Sequence, residues 1–313
     1  MTESNLKIPR GKLEKLAPDV YAYIQPATVF VSNAGLIVGK DSAVVVDSLT
    51  NQHMTQSFID QIQKVTINPV RFLINTHAHG DHIYTNHLFS GASVICSKQC
   101  REDTKNMSSD EVATFKKMVP EMNFDGAKVT VQNVAFEKEL SIYLDGREIR
   151  MVDLGAGHCK SDTYVFLPQE KVVFCGDLLV IGLPPQVIQG SLSQEILNLD
   201  ILANLNADIY VPGHGVVTTR ESVYEHRELL VQLREEARKC FYRGIDFEEA
   251  AKTIHLEKFE EWSNYPALIL TVARAYSELR GEELACDLSH QINFHEKIIN
   301  FIGLLRERGM YKW

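Results

Sequence analysis

No Cys-x-x-Cys pair occurs in this sequence: its 6 cysteines, Cys96, Cys100, Cys159, Cys175, Cys240 and Cys286, are scattered through 313 residues. That spacing excludes a zinc ribbon and a disulfide-stapled scaffold, and makes most of them small buried hydrophobes. No run approaches the roughly eighteen consecutive apolar residues of a membrane-spanning helix. The stretch Met1-Thr2-Glu3-Ser4-Asn5-Leu6-Lys7 lacks the apolar core of a secretory signal. Basic clusters are missing too, and the net charge is −9. That balance argues against a broad nucleic-acid footprint, because phosphate binding needs grouped Lys and Arg to displace counterions. Internal repeats and low-complexity linkers are also absent. The expectation is a cytoplasmic protein that handles a small molecule, with neither nucleic acid nor membrane as partner. Its 45% hydrophobic and 23% charged residues are ordinary globular usage, and the length allows one large domain or two moderate ones.

Histidine and aspartate, by contrast, are concentrated. His77-Ala78-His79-Gly80-Asp81-His82 stands directly behind the apolar run Val70-Arg71-Phe72-Leu73-Ile74, and isolated ligand types follow at His158, Asp177 and His214. Side chains packed this closely in sequence cannot all face one point from a regular strand or helix. They must occupy the loop where a strand ends, which is where catalytic groups tend to be mounted. Imidazole with carboxylate suits zinc or iron rather than calcium or magnesium, which prefer shells of oxygen alone.

The first half of the chain alternates β-rich and helical runs. Val20 to Ile24, Thr28 to Val31, Leu36 to Val38 and Ala43 to Val46 read as strands, with Asn33-Ala34-Gly35 and Gly39-Lys40-Asp41 as turns. Met54, Phe58, Ile59, Ile62 and Val65 recur at helical spacing over about residues 51–66. Ile83 to Phe89 suits a helix and Ala92 to Cys96 a strand. Asp145-Gly146 is the strongest turn signal and predicts a hairpin over residues 139–153. Thr163 to Leu167, Lys171 to Phe174 and Ile209 to Val211 read as strands leading to Asp177 and His214. Beyond about Thr218 the composition turns helical, through Leu229-Leu230-Val231-Leu233 and Ala267 to Ala273. Ile292, Phe294, Ile298, Ile299, Phe301, Ile302 and Leu305 form a final amphipathic stripe. Helix packing is the expected role of Trp262, Tyr265 and Tyr276.

The ordered set His-x-His-x-Asp-His, distant His, distant Asp and last His resembles the pattern of the metallo-β-lactamase-fold superfamily, over about residues 18–220. The resemblance implies an α/β (α+β) fold, a four-layer αββα sandwich, with a C-terminal helical extension. Residues 1–220 would form the metallohydrolase domain and residues 221–313 the helical extension. Carried over residue by residue, His77, His79 and His158 would hold one metal and Asp81, His82 and His214 a second, with Asp177 bridging them. Zinc is the first expectation for the two divalent ions, with iron or manganese as alternatives. Asp47 fits the family's early structural aspartate, and Val211-Pro212-Gly213-His214-Gly215 fits its last-ligand loop.

The implied chemistry is hydrolysis by a metal-bridging hydroxide, since two divalent ions about 3.5–4 Å apart can share a water, lower its pKa and polarise a carbonyl or phosphoryl oxygen. Asp81 would orient that hydroxide or receive its proton. The most studied metallo-β-lactamases place cysteine where this chain has Asp177 or omit a ligand there, whereas glyoxalase II-like thioesterases, lactonases and phosphodiesterases of the superfamily use an aspartate. The first reading is therefore hydrolysis of a thioester, lactone or carboxylic ester. Alternatives are a phosphodiesterase, a mononuclear iron persulfide dioxygenase, a β-lactamase-like activity, and a regulatory or biosynthetic-pathway protein whose esterase activity is incidental. The segment Leu183-Pro184-Pro185-Gln186-Val187-Ile188 is expected beside the metal entrance, and Tyr84 is a candidate hydroxyl donor to the oxyanion. The ligands end at His214, so the helical tail is expected to take no part in building the centre and to serve specificity or a homodimer contact.

Overall fold

Alternate side chains of β4 (Ala43–Val46) enter different cores: Val44 and Val46 join one, Ala43 and Val45 another. A strand buried on both faces lies inside a sandwich with further layers outside it. The same split recurs in β10 (Thr163–Leu167), where Val165 and Leu167 face inward and Tyr164 and Phe166 outward. This computed structural model describes residues 10–28, 30–107, 110–118, 122–187, 189–256 and 268–282.

Among the described residues, one sheet of seven strands has the order β1-β2-β3-β4-β5-β6-β7. Its members are β1 (Lys12–Ala17), β2 (Val20–Ile24), β3 (Ala34–Val38), β4, β5 (Val70–Ile74), β6 (Ser93–Ser97) and β7 (Val134–Phe136). The pairs from β1 to β4 are antiparallel, and those from β4 to β7 parallel. The second sheet runs β12-β11-β10-β9-β8, built from β8 (Glu139–Leu144), β9 (Arg147–Asp153), β10, β11 (Val172–Val180) and β12 (Ile209–His214). Its β11–β12 pair is parallel. The predicted hairpin joins β8 and β9, and Asp145 and Gly146 at its tip take φ of 54° and 85°, as a type I′ turn requires.

Helices cover both outer faces, completing the αββα layering. On the first, α1 (Gln52–Val65) buries Met54, Phe58 and Ile62 against Tyr23, Leu36, Val45 and Leu73. Each such side chain removed from water stabilises the fold by about 1.5–3 kcal/mol. Asn51 caps α1, its Oδ1 accepting from Met54 N at 2.9 Å. On the second face lie α5 (Leu192–Ala203), α6 (Arg220–Tyr242), α7 (Phe247–Thr253) and a helix we label α8 (Leu268–Leu279). These helices share one core with Tyr164, Phe166, Val173 and Cys175 of the second sheet. The remaining helices are α2 (Gly80–Ile83), α3 (Lys98–Asn106) and α4 (Glu111–Met118). No described helix is long and apolar enough to cross a membrane.

Four local expectations need correction, the first being the turn at Asn33-Ala34-Gly35, because β3 already begins at Ala34 and pairs with β2 there. Thr28, Phe30 and Val31 do not form the expected strand, and Val29 lies outside the described residues: Val31 N donates back to Thr28 O at 3.3 Å, and Phe30 takes φ of 62°. Edge-to-face packing of the Phe30 ring on Phe115 and Phe124, with centroids at 5.1 and 5.7 Å, outweighs the β preference of the segment. Nor is Ile83 to Phe89 one helix. The short α2 ends at Ile83 and only a 3-10 turn, Asn86–Leu88, follows. Thr85 Oγ1 donates to the carbonyl of Leu49 at 3.0 Å and Asn86 Nδ2 to Asn75 Oδ1 at 2.8 Å, so these side chains bind outside the helix. Finally, β11 continues past Phe174 to Val180, which puts Asp177 inside a strand rather than beyond its end.

Candidate metal centre

Strand β5 stops at Ile74, and the next residues turn across the end of the sheet. Asn75 N continues the ladder to Ile95 O at 2.9 Å, while Asn75 Nδ2 reaches His82 O at 3.1 Å. His79 is the extended residue before α2, whose single turn folds Asp81 and His82 back beneath His77. Gly80 makes that turn possible, because a Cβ there would stand 2.1 Å from the Tyr84 ring. His158 comes from the loop between β9 and β10, where Cys159 N donates to Asp162 Oδ2 at 2.9 Å. His214 is the last residue of β12.

Asp177 reaches the centre through two register shifts in the β11–β12 pairing, on either side of Gly176. Gly176 takes φ of 55° and packs where a Cβ would meet Thr76 at 2.8 Å. Glycine alone allows this backbone and this approach at once.

All seven predicted ligand residues converge, as one group of His77, His79, His158 and Asp177 and a second of Asp81, His82 and His214, with the donor atoms of each group within 4.8 Å of one another. In the first, His79 Nδ1 lies 3.1 Å from His77 Nε2 and 2.8 Å from His158 Nε2. Asp177 Oδ2 lies 3.4 Å from His158 Nε2 and 3.3 Å from His214 Nε2. Its Oδ1 lies 3.2 Å from His82 Nε2, and Asp81 Oδ2 is 3.2 Å from His214 Nε2. Asp177 thus faces both groups. Donors held tetrahedrally at 2.0–2.1 Å from zinc would be separated by about 3.3 Å, close to these spacings. His82 Nε2 and Asp177 Oδ1 are buried without the alignment of a hydrogen bond, although 3.2 Å apart. Orphaned buried donor atoms at the shared carboxylate fit a cation as the missing partner.

The opposite nitrogen of every imidazole is held from outside. His82 Nδ1 pairs with Asp47 Oδ2 at 2.8 Å, His77 Nδ1 with Thr76 Oγ1 at 3.0 Å and His79 Nε2 with Gln189 Oε1 at 2.6 Å. His214 Nδ1 meets Thr28 O at 3.2 Å, and His158 Nδ1 meets Gln186 O. Each contact leaves the other nitrogen aimed at the centre and fixes the ring's orientation. Asp47 also accepts from Thr76 N at 2.9 Å and Thr76 Oγ1 at 2.8 Å, tying His82 and the His77 loop to one carboxylate.

Burial sets the protonation of the first group. It pulls His77 well below the ordinary histidine value, lowers His79 and takes His158 to about 3. These rings present lone pairs. In the second group, burial opposes charge on His214, but Asp177 and Asp81 outweigh it and hold it at about 10. Burial likewise opposes charge on His82, and Asp177, Asp47 and Asp81 raise it well above its ordinary value. Asp177 and Asp81 stay low despite burial, because His214 and His82 lie beside them.

Other expected roles change. Tyr84 is fully buried and its hydroxyl donates to Glu111 Oε1 at 2.8 Å, so it is committed to α4. The segment from Leu183 to Val187 does lie beside the centre, where Gln186 O meets His158 Nδ1, while Leu183 and Val187 themselves are buried, Val187 within the core of the C-terminal helices. Ile188, Trp262, Tyr265, Cys286 and the stripe from Ile292 to Leu305 lie outside the described residues. Tyr276 does pack: its ring meets Phe241 edge-on at 5.2 Å and its hydroxyl donates to Ile245 O at 3.0 Å. The tail is not separate from the centre, since Thr271 Oγ1 in α8 donates to Pro185 O at 2.8 Å and accepts from Val187 N at 3.0 Å, either side of Gln186. Gln189, Gln186, Thr76 and Thr271 carry no metal-ligand signature, and only contacts bridging distant segments reveal them.

The chain has known relatives in sequence and in fold. Residues 27–214 match the family described as the metallo-beta-lactamase superfamily. A metallo-beta-lactamase type 2 of Bacteroides fragilis is 23% identical over 252 residues, covering 76% of this chain and 93% of that protein. The structure of a stereoselective inverting sec-alkylsulfatase from Pseudomonas sp. superposes with a TM-score of 0.68 at 14% identity, over 96% of this chain and 57% of the other. A metallo-beta-lactamase from Pontibacter korlensis gives 0.57 at 20% identity, over 71% and 99% of the two chains.

Proposed function

Because the chain belongs to the metallo-beta-lactamase superfamily of metal-dependent hydrolases, we propose that it hydrolyses a small ester-like substrate, a thioester, lactone or carboxylic ester, with two divalent ions held by His77, His79, His158, Asp81, His82, His214 and the shared Asp177. One observation carries this reading: Asp177 directs Oδ1 to His82 at 3.2 Å and Oδ2 to His158 at 3.4 Å and His214 at 3.3 Å. Zinc best suits a set of imidazoles and carboxylates, with iron or manganese next.

Two bound divalent ions supply a water acidic near neutral pH and an electrophilic contact for the substrate oxygen. The chain's own residues do the rest. His77, His79 and His158 stay neutral through burial and offer lone pairs at fixed angles. Asp81 is kept low by His82 and His214 beside it despite its burial, so it stays ionised and can orient the attacking water and take its proton. Asp47 keeps the His82 ring from turning as charge shifts between its neighbours.

A second reading, β-lactam hydrolysis, draws on the Bacteroides fragilis relative. Asp177 favours the ester reading, because the most studied metallo-β-lactamases carry cysteine or no ligand at that position. The test is turnover by zinc-loaded protein of an acyl thioester, a γ-lactone, an aryl acetate, a cephalosporin, a secondary alkyl sulfate and a bis(aryl) phosphate. Preference for one of the first three supports the ester reading. Turnover of only the cephalosporin, the sulfate or the phosphodiester overturns it.

A further inference from the structure

We infer that helix α8 is a positioning element of the metal centre, acting through Thr271 and Glu278 on the strap of chain that holds His158 and His79. The inference rests on the two-metal reading of that site.

The strap lies between β11 and α5, its described residues being 185–187 and 189–191, and Ser193 follows it in the first turn of α5. Its inner side carries the outer contacts of two histidines: the Gln186 carbonyl accepts from His158 Nδ1, and Gln189 Oε1 lies 2.6 Å from His79 Nε2. Its outer side is fastened to α8 at both ends. At the first end one hydroxyl brackets Gln186, since Thr271 Oγ1 donates to Pro185 O at 2.8 Å and accepts from Val187 N at 3.0 Å. Those two bonds fix the peptide planes on either side of Gln186, and hence the direction of the carbonyl that His158 uses. At the other end, Glu278 accepts from Ser191 Oγ at 2.9 Å, Ser193 Oγ at 2.6 Å and Ser193 N at 3.3 Å.

Thr271 and Glu278 are seven residues apart, close to two helical turns, so they share a face and are separated by about 10.5 Å along the axis. A rigid helix therefore sets the distance between the two ends of the strap. Thr271 is fully buried on an otherwise apolar stretch, Leu268 to Ala273. Its hydroxyl reaches the strap at two backbone atoms, Pro185 O and Val187 N. The strap is pressed equally hard from the other side: Ser191 N donates to Gly157 O at 2.9 Å, and a Cβ on Gly190 would stand 1.8 Å from that oxygen. The strap therefore has little freedom to adjust by itself. Without the Thr271 hydroxyl the Gln186 carbonyl can rotate, and His158 then loses the acceptor that fixes its tautomer and ring angle. Partners of this kind are worth 10–100-fold in metal affinity.

The effect should fall on one metal only. His158 and His79 belong to the first group, whereas His82 and His214 of the second group are held by Asp47 and Thr28, away from the strap. The test uses the full chain as parent, Thr271→Val, Thr271→Ser and Glu278→Gln. Cobalt(II) is titrated against a competing chelator, the d–d absorption is recorded, and the metal-free unfolding midpoint is measured beside it. Thr271→Val should weaken one of the two cobalt sites by about 10–100-fold and change its absorption, leaving the other within about threefold. Thr271→Ser, which keeps the hydroxyl, should restore both. Glu278→Gln should weaken the same site to a smaller extent, and it reads the other anchor if Thr271→Val does not fold. Parental affinities and spectra in folded Thr271→Val overturn the inference, as does an equal loss at both sites that follows the lowered midpoint. In the absence of folded Thr271→Val, parental behaviour of Glu278→Gln overturns it. If the parent itself binds fewer than two cobalt ions, the underlying two-metal reading fails instead, and the inference falls with it.

Discussion

A Cβ on Gly213 would stand 1.9 Å from Asp177 Oδ1. The shared carboxylate therefore occupies space that only glycine leaves open, where β12 runs parallel to β11 with Pro212 opposite Gly176. The backbone of the last-ligand loop thus does two things: it delivers His214 and it makes room for Asp177.

Gly213→Ala should accordingly displace Asp177 from its place between the two groups. We expect a folded protein that binds fewer ions per chain than the parent. The check is elemental analysis alongside circular dichroism; full metal content in a natively folded Gly213→Ala protein would show that the carboxylate can move aside without cost.

Asp47→Asn tests the support beneath His82. The substitution keeps the size of the side chain but removes the charge facing His82 Nδ1, 2.8 Å away, and weakens the acceptor used by Thr76. Removal of such an outer partner typically costs 10–100-fold in metal affinity. Chelator competition should find that loss at one site, and equal affinity at both sites in variant and parent would reduce Asp47 to a strand-end cap.

How much of this was legible in the sequence depends on the range of the interaction that decides it. The His77-to-His82 cluster, Asp47, the helix over residues 51–66 and the Asp145-Gly146 hairpin are written in adjacent residues or in local periodicity, and the structure has all of them. Thr28 to Val31 reads as a strand because its residues favour one, yet Phe30 packs on Phe115 and Phe124, far along the chain. The end of α2 is similarly decided by buried Thr85 and Asn86, whose partners lie at Leu49 and Asn75. Gln189 and Thr271 belong to no pattern at all, and a composition change near Thr218 gave no sign that α8 returns to brace the centre.

Asp81→Asn tests the proton acceptor. Asparagine keeps an oxygen for the second group but cannot take a proton, so turnover of the preferred ester should fall by at least about a hundredfold with metal retained. A variant that holds its metal and turns over at the parental rate would assign proton transfer elsewhere.

Metal loading should be linked to pH. In the metal-free protein His82 is raised well above the ordinary value of 6.5 and His214 stands at about 10, so both carry protons at neutral pH. Ligation requires the neutral rings. Titrating zinc into metal-free protein at about pH 7 should therefore release protons, seen as a binding enthalpy that depends on the buffer's ionisation enthalpy, and apparent affinity should rise with pH. The sign for stability is the reverse. A histidine raised on folding stabilises the metal-free protein below its unfolded value and loses that contribution as pH climbs through about 10, so the metal-free midpoint should drop over that range. A binding enthalpy independent of buffer would mean that these histidines are already neutral.

If the Asp177 carboxylate is shared by two metal ions, metal stoichiometry will depend on it. Parent and Asp177→Ala proteins are equilibrated with zinc, freed of excess and analysed for zinc per folded chain. The parent should hold about two ions, as a shared-water hydrolytic site requires, and Asp177→Ala no more than one, with ester turnover lost. A parent with a single ion, or an Asp177→Ala protein that keeps both, would contradict that sharing.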